Sequence, residues 1–332
     1  MLKKLSLYAV LLILLSQNVK AEVFKSGNLY FQKEVVPNRP TTEVSVVYSA
    51  TYTDLSEVAI PSTVTYKDTV YTVTRIYPGC FKSCSSLSKI AIAPTVYYIG
   101  AGAFTGTALF NDAANWHDNV LYIDNCLIVS KNRSVTSYDV PEGTQVIAEE
   151  AFEGGSIKEL SLPSSLIGIS DYSFSDCPVA EVELPSGLKY LGSAAFQNAL
   201  FTSLTLPSTL EYVGYISFPW IKTNSRFDLY CYAVVPPVWE LNTRTYALMG
   251  TSQYTGFRYS TIHAHVPGIV LEAYQSAVLW KQFTLTGDIE VSPVEDVTVS
   301  GVPSVQKIME DGMIYLQCPD GKRYTLLGSE LR

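Results

Sequence analysis

The sequence predicts a β-rich repeat solenoid, and three observations carry that prediction. One phrase recurs at a fixed interval of 22 residues: Leu160-Ser161-Leu162-Pro163, Val182-Glu183-Leu184-Pro185, Leu204-Thr205-Leu206-Pro207. A phenylalanine holds constant phase with it, at Phe152, Phe174, Phe196 and Phe218. Within each phrase apolar and polar residues alternate over strand length, which sends two side chains inward and one outward.

A period of roughly 20 to 29 residues with Leu, Ile or Val at set offsets marks leucine-rich-repeat coils. One such coil cannot bury its own apolar side, so coils stack and bury it against neighbours. The expected architecture is a right-handed leucine-rich-repeat superhelix with parallel strands, hairpin insertions, end caps and a small C-terminal β-meander.

Taken in order, residues 1–21 read as a secretory signal peptide. Lys3 and Lys4 precede the apolar run Leu5 to Leu15, and Val19-Lys20-Ala21 offers small residues at a cut before Glu22. That run is well short of the ~20 residues that span a bilayer. No Cys lies at the junction to carry a lipid anchor. The mature protein is therefore expected to be exported. Residues 22–54, strand-like at Val44 to Tyr48, are expected to cap the first coil, because bare end coils expose apolar surface and strand edges.

Residues 55–290 form the repeat. Its strands begin with Leu55/Val58/Ile60, Leu87/Ile90/Ile92, Val135/Tyr138/Val140, Ile157/Leu160/Leu162, Val179/Val182/Leu184 and Phe201/Leu204/Leu206. Proline at 61, 141, 163, 185 and 207 ends each strand, since it has no N–H for the ladder. A second apolar column runs through Ile76, Ile99, Ile147, Ile169, Leu191 and Val213. Gly100, Gly192 and Gly214 follow three of these, at a corner that can need positive φ. The phenylalanines at 81, 104, 152, 174, 196 and 218 are expected to form one internal aromatic ladder.

Irregular intervals locate two insertions. Val64 to Val73 reads as a hairpin turning near Asp68-Thr69. In the longer insertion, 105–130, Val120 to Ile123 and Cys126 to Val129 flank Asp124-Asn125, a two-residue hairpin turn. Beyond Phe218 the phrase decays. Residues 262–290 are expected to cap the far end, with a strand through His263 and His265 and a short helix from Val270 to Phe283. A linker from Val291 then leads to three short strands in 291–332.

Composition narrows the function. With 47% hydrophobic residues the chain can bury a large core, and a net charge of −8 without basic runs argues against nucleic acid and anionic membranes. Six Cys in an exported protein invite disulfides. Cys84 and Cys177, however, each lie three residues after a repeat Phe, in one column several coils apart, and are expected to be reduced and buried. Three His are present: His117 in the insertion, and His263 with His265 on one strand face without Cys or carboxylate at ligand spacing. No metal, cofactor or catalytic residue is expected, because no Gly-x-Ser-x-Gly elbow or phosphate loop occurs.

The outward strand positions point to recognition instead. One column reads Glu57, Lys89, Ser137, Glu159, Glu181, Ser203, and its neighbour Ala59, Ala91, Asp139, Ser161, Glu183, Thr205. Glu159, Glu181 and Glu183, together with the insertion aromatics Trp116 and Tyr122, are the expected contact surface. A solvated face kept soluble by charge is the alternative.

The phrases Ile-Pro-Ser-Thr-Val, Leu-Pro-Ser-Ser-Leu and Gly-Ser-Ala-Ala-Phe resemble the BspA-like leucine-rich-repeat family of bacterial surface proteins. Asn119 to Ile128 is similar to that family's hairpin insertion, and His265-Val266-Pro267 through Tyr274, Trp280 and Phe283 to its terminal cap. The segment Gln306 to Gly328 resembles a short C-terminal module related to the sorting segments of type IX secretion cargo, but is shorter. The resemblance implies a non-enzymatic surface or secreted protein that binds a protein or glycan, with adhesion among the family's roles. A carbohydrate-processing accessory protein or enzyme, and a purely structural envelope component, are the rival classes.

Overall fold

The computed structural model describes residues 22–34, 42–215, 217, 226–239 and 261–291, and the backbone of four further strands between 306 and 331. Phe218, Cys318, the expected signal segment and nearly all of the expected linker lie outside the described residues. No helix among the described residues is long and apolar enough to cross a membrane.

The N-terminal strands are β1 (Val23–Ser26), β2 (Leu29–Lys33), β3 (Glu43–Val46), β4 (Glu57–Ile60), β5 (Thr63–Tyr66), β6 (Thr69–Ile76), β7 (Lys89–Ile92) and β8 (Tyr98–Ile99). One sheet runs β1-β2-β3-β6-β5 with β8 on β6, while β4 and β7 pair in parallel as a sheet of two. The β5–β6 hairpin turns on Lys67-Asp68, one residue earlier than the sequence suggests, with both residues at positive φ (49° and 61°). That geometry matches the right-handed twist of the flanking strands.

Next come β9 (Trp116–His117), β10 (Val120–Ile123), β11 (Cys126–Ser130), β12 (Ser137–Asp139), β13 (Val146–Ile147), β14 (Glu159–Ser161), β15 (Gly168–Ile169) and β16 (Tyr190–Leu191). They are followed by β17 (Ser203–Leu206), β18 (Tyr212–Val213), β19 (Phe227–Cys231), β20 (Val238–Trp239), β21 (Ile262–Pro267) and β22 (Thr284–Ile289). Strands β11, β13, β15, β16, β18 and β20 pair in parallel, coil upon coil. After Pro141, Pro163, Pro185 and Pro207 the residue three positions on donates back to the proline carbonyl, as Leu166 to Pro163, Leu188 to Pro185 and Leu210 to Pro207. The strand-ending role of Pro thus also builds the turn. Ile76, Ile99, Ile147, Ile169, Leu191 and Val213 are all fully buried.

The aromatic ladder is real but divided. Phe152, Phe174 and Phe196 stack nearly parallel, with ring centroids 5.5 and 5.3 Å apart. Tyr52, Phe81 and Phe104 form a second ladder at 5.3 and 5.8 Å. The two belong to different hydrophobic cores, so the single ladder expected from sequence does not form. The insertion hairpin is the cause. Strand β11 takes the parallel place beside β13, with Cys126 opposite Val146 and Leu127 opposite Ile147. Its hairpin serves both cores: Leu121, Ile123, Cys126 and Ile128 face the first, Val120 and Leu127 the second.

The first stack then lies against the back of the second. Along β16 and β18, Leu191 and Val213 point into the second core, while Tyr190 and Tyr212 point the other way. There they meet Tyr97 and Tyr98. Tyr97 stacks on Tyr190 at 5.1 Å, and the Arg75 guanidinium sits 4.8 Å from the rings of both Tyr98 and Tyr190. Such cation–ring contacts strengthen when desolvated. The Glu43 carboxylate accepts from the hydroxyls of Tyr97 (2.7 Å) and Tyr212 (3.1 Å), tying the N-terminal sheet to the second stack. Glu149 accepts from Tyr98 (2.7 Å) and from the Ala101 amide (2.8 Å). At the centre a β-carbon on Gly168 would stand 1.9 Å from the Tyr97 carbonyl oxygen, so only glycine admits this approach.

The corner glycines also differ from expectation. Gly100, Gly192 and Gly214 are absent from the positive-φ residues. Each is demanded by close stacking instead: a β-carbon on Gly192 would lie 2.4 Å from the Ser170 carbonyl carbon.

At the far end the expected helix from Val270 to Phe283 shortens to α1 (Leu271–Ser276). Ala277 is extended and Leu279 takes φ 68°, which breaks the helix before a 3-10 turn at Trp280–Gln282. Tyr274 and Trp280 are fully buried, and donate to the carbonyls of Ala233 (2.6 Å) and Pro237 (2.9 Å). Strand β22 follows, parallel to β21. The last strands, β23 (Gln306–Glu310), β24 (Met313–Gln317), β25 (Arg323–Thr325) and β26 (Glu330–Leu331), pair antiparallel in order. Cys80, Cys84, Cys126, Cys177 and Cys231 are free and buried.

Candidate recognition surface

Parallel pairing lays the outward side chains of the second stack in rows. Ser137 lies beside Glu159 and Asp139 beside Ser161, and Glu159 is bridged in parallel to Glu181. Further along, Ser203, Asp228, His263 and Thr284 form one row, and Thr205, Tyr230, His265 and Thr286 the next. Glu159, Glu181 and Glu183 are all exposed. Like charges side by side cost stability, and here the coil between β14 and β17 keeps only the single bridge at Glu181. Glu57 and Lys89, read from sequence as the start of the same column, sit instead on β4 and β7 of the first stack, ion-paired at 3.2 Å.

The structure sets Tyr122 at the edge of the second stack, beside the first of these strands, and packs Trp116 on the first core. Tyr122 packs on the second core and shares a hydrogen bond of 2.8 Å with the Tyr138 hydroxyl on β12. Burial, and then the Tyr138 bond, push its own hydroxyl well above the ordinary range. Tyr138 is the cross-strand neighbour of Leu160, and its ring meets Phe152 at 4.9 Å. Trp116 packs on the first core, edge-on to Phe110 at 5.5 Å, with its indole N–H on the Phe110 carbonyl at 2.8 Å. The Lys131 ammonium covers its ring at 3.5 Å. Half-buried and capped in this way, Trp116 offers little of its face to a ligand. The physical reason is the two-sided hairpin, in which neighbouring residues face opposite cores.

Sequence reasoning passed over Tyr138, although one signal was present: it puts a hydroxyl in an inward column otherwise filled by Val, Ile and Leu. It also underread the histidine pair. His265 Nδ1 lies 2.8 Å from Asp288 Oδ2 and its Nε2 3.5 Å from Asp228 Oδ1. The Tyr230 ring stacks on the imidazole at 4.5 Å. Partial burial works to raise the Asp228 carboxyl, but the hydrogen bond from Arg226 and the nearby His265 ring outweigh it and hold it below its ordinary range. Among the described residues no group of three or more His, Cys, Asp or Glu is disposed to hold a metal. The cluster reads as a polar clamp across β19, β21 and β22.

Comparison with known proteins follows the repeat. The model of the BspA type leucine rich repeat region matches residues 51–129 and 128–225, in 6 copies, over more than half of the chain. Among solved structures, the pneumococcal vaccine antigen PcpA aligns over 82% of this chain and 99% of its own, at 14% identity and TM-score 0.32. A leucine-rich repeat protein from Bacteroides ovatus aligns over 73% of this chain and 70% of its own, at 17% identity and TM-score 0.27. The T. pallidum leucine rich repeat protein covers 71% of this chain and 98% of its own, at 18% identity and TM-score 0.26. No curated protein matches the sequence.

Proposed function

The chain belongs to the BspA-type leucine-rich-repeat family, and from that premise we propose that it is an exported, non-enzymatic recognition protein. Its signal segment, residues 1–21, is removed on export. Its coils form a right-handed solenoid, and it works at the cell surface or in the surrounding medium, in adhesion or host interaction. The partner is a protein or a glycan, met on the outer strand face that carries Glu159, Glu181 and Glu183 and is bordered by Tyr122.

The observation that carries this reading is the continuity of that face. Parallel pairing sets Ser137 beside Glu159 and Glu159 beside Glu181, and the three glutamates stay exposed while the inward Tyr138, Leu160, Leu162, Val182 and Leu184 of the same strands pack on one core, with half-buried Tyr122 at the edge. Apolar area gives contact energy, and exposed charge tunes rate and specificity. Trp116 contributes indirectly, by fixing the hairpin from its other side.

Glycan and extracellular-matrix protein arrays, run beside a glycoside-hydrolase substrate panel on the mature protein, test the proposal. Saturable binding without turnover is expected. Turnover without stoichiometric binding would make it a carbohydrate-processing protein, and silence in both assays a structural envelope component.

A further inference from the structure

We propose that the first stack ends in a strand-addition site, where the free edge of β4 takes up an extended segment of a partner protein, main chain to main chain. This surface is separate from the outer strand face described above.

Among the described residues, strand β4 is paired on one side only, by β7. In that parallel ladder Lys89 donates to the Ser56 carbonyl (3.2 Å), with Val58 opposite Ile90. Alternate residues of a parallel strand serve opposite neighbours, so Val58 and Ile60 spend their backbone groups on β7. The amide and carbonyl groups of Glu57 and Ala59 face the other edge. Among the described residues no hydrogen-bond acceptor meets either amide.

A cleft of about 620 Å³ opens at that edge. Its far wall is the β1–β2 turn through Ser26 and Asn28, and its side wall is Thr63 to Thr65 of β5, itself the last strand of its sheet. Leu29, Val58 and Val64 supply an apolar floor beneath this polar rim. An added strand alternates its side chains between two faces, which suits a segment of alternating apolar and polar residues. Strand addition of this kind draws affinity from the main chain and specificity from pockets for alternate side chains.

The usual guards against edge pairing are weak here. Edge strands are commonly blunted by charge or proline, but the Glu57 carboxylate is engaged by Lys89 along the ladder at 3.2 Å, and Pro61 lies beyond the strand. A sugar fits less well. The one aromatic lining the cleft, Phe31, is 1% exposed and offers no ring face for a pyranose to stack on. A second copy of this chain fits less well too, because its own β4 edge would be equally recessed between the same walls and two recessed edges cannot meet. A slender single segment can enter.

The test uses synthetic peptides roughly eight residues long, alternating Val, Ile or Thr with Ser, Gln or Lys, titrated by fluorescence anisotropy against the mature protein. Members of the panel are expected to bind. N-methylation at alternate peptide residues should abolish binding in one parity and spare it in the other, because only one set of amides faces β4. Ala59→Pro removes the outward amide without touching the ladder to β7, and should weaken binding at least about tenfold with thermal unfolding unchanged. Should Ala59→Pro fail to fold, the methylation scan on the wild-type protein decides alone. No binding anywhere in the panel, or binding indifferent to methylation parity, would overturn the proposal. Self-association of the wild type that Ala59→Pro abolishes would overturn it as well, by assigning the edge to a second copy.

Discussion

Single side chains set both the strength and the pH response of this fold. Phe174 and Phe196 are fully buried and stacked nearly parallel to each other, so each truncation removes contacts that the stack cannot recover. Phe174→Ala and Phe196→Ala should each cost about 3–5 kcal/mol in denaturant unfolding; a loss below about 1 kcal/mol would mean that neighbouring coils collapse into the gap. Glu149 responds to pH in the sense opposite to a surface carboxylate. Burial raises its carboxyl above the ordinary value, and the hydrogen bonds from the Ala101 amide and Tyr98 only partly oppose this. A group with a raised folded pKa contributes stability that is present below its unfolded pKa and lost as pH rises through the folded one. Wild type should therefore gain on Glu149→Gln as pH falls from neutral toward the ordinary carboxylate range. Unfolding free energies of the two proteins across that range check this, and a constant difference would exclude Glu149 as the titrating group.

Among the elements, the coil is what the sequence displays best. Its proline-ended strands, inward columns and the Asp124-Asn125 turn are all local patterns, and local patterns survive without knowledge of the whole chain. The back strands β13, β15, β16 and β18 hid half of their role. Each is two residues long, so no alternation marks their outward side, and nothing local to Tyr190 and Tyr212 shows that Tyr97 and Arg75 pack against them. Of the candidate surface, the glutamates were legible because strand pairing alone makes Glu159 and Glu181 neighbours. Trp116 misled because a hairpin between two cores has no solvent side to predict. Gly168 on β15 is the sharpest probe of this level. Gly168→Ala puts a carbon into the Tyr97 carbonyl and should cost about 1–3 kcal/mol, with hydrogen exchange faster at Tyr97 to Ile99 than in β16. Unchanged exchange there would place the strain elsewhere.

At the scale of the whole molecule, two stacks share one seam. Glu43, Arg75 and four tyrosines tie the first to the back of the second, which leaves the outer strand face of the second stack open among the described residues. Wild type should unfold in one calorimetric transition, and Tyr190→Ala, by emptying the centre of the seam, should split it in two; a single transition in both proteins would mean that the hairpin alone couples the stacks. The open face is where recognition is assigned. Tyr122 supplies contact area there and the glutamates supply charge, so salt should weaken only the charged share of binding. The most direct measurement runs wild type and the combined variant Tyr122→Ala, Glu159→Ala, Glu181→Ala, Glu183→Ala on the same glycan and matrix-protein arrays, with circular dichroism to verify folding. The account predicts that the ligands bound by wild type are lost or strongly weakened in the variant. An unchanged binding profile from the folded variant would contradict it.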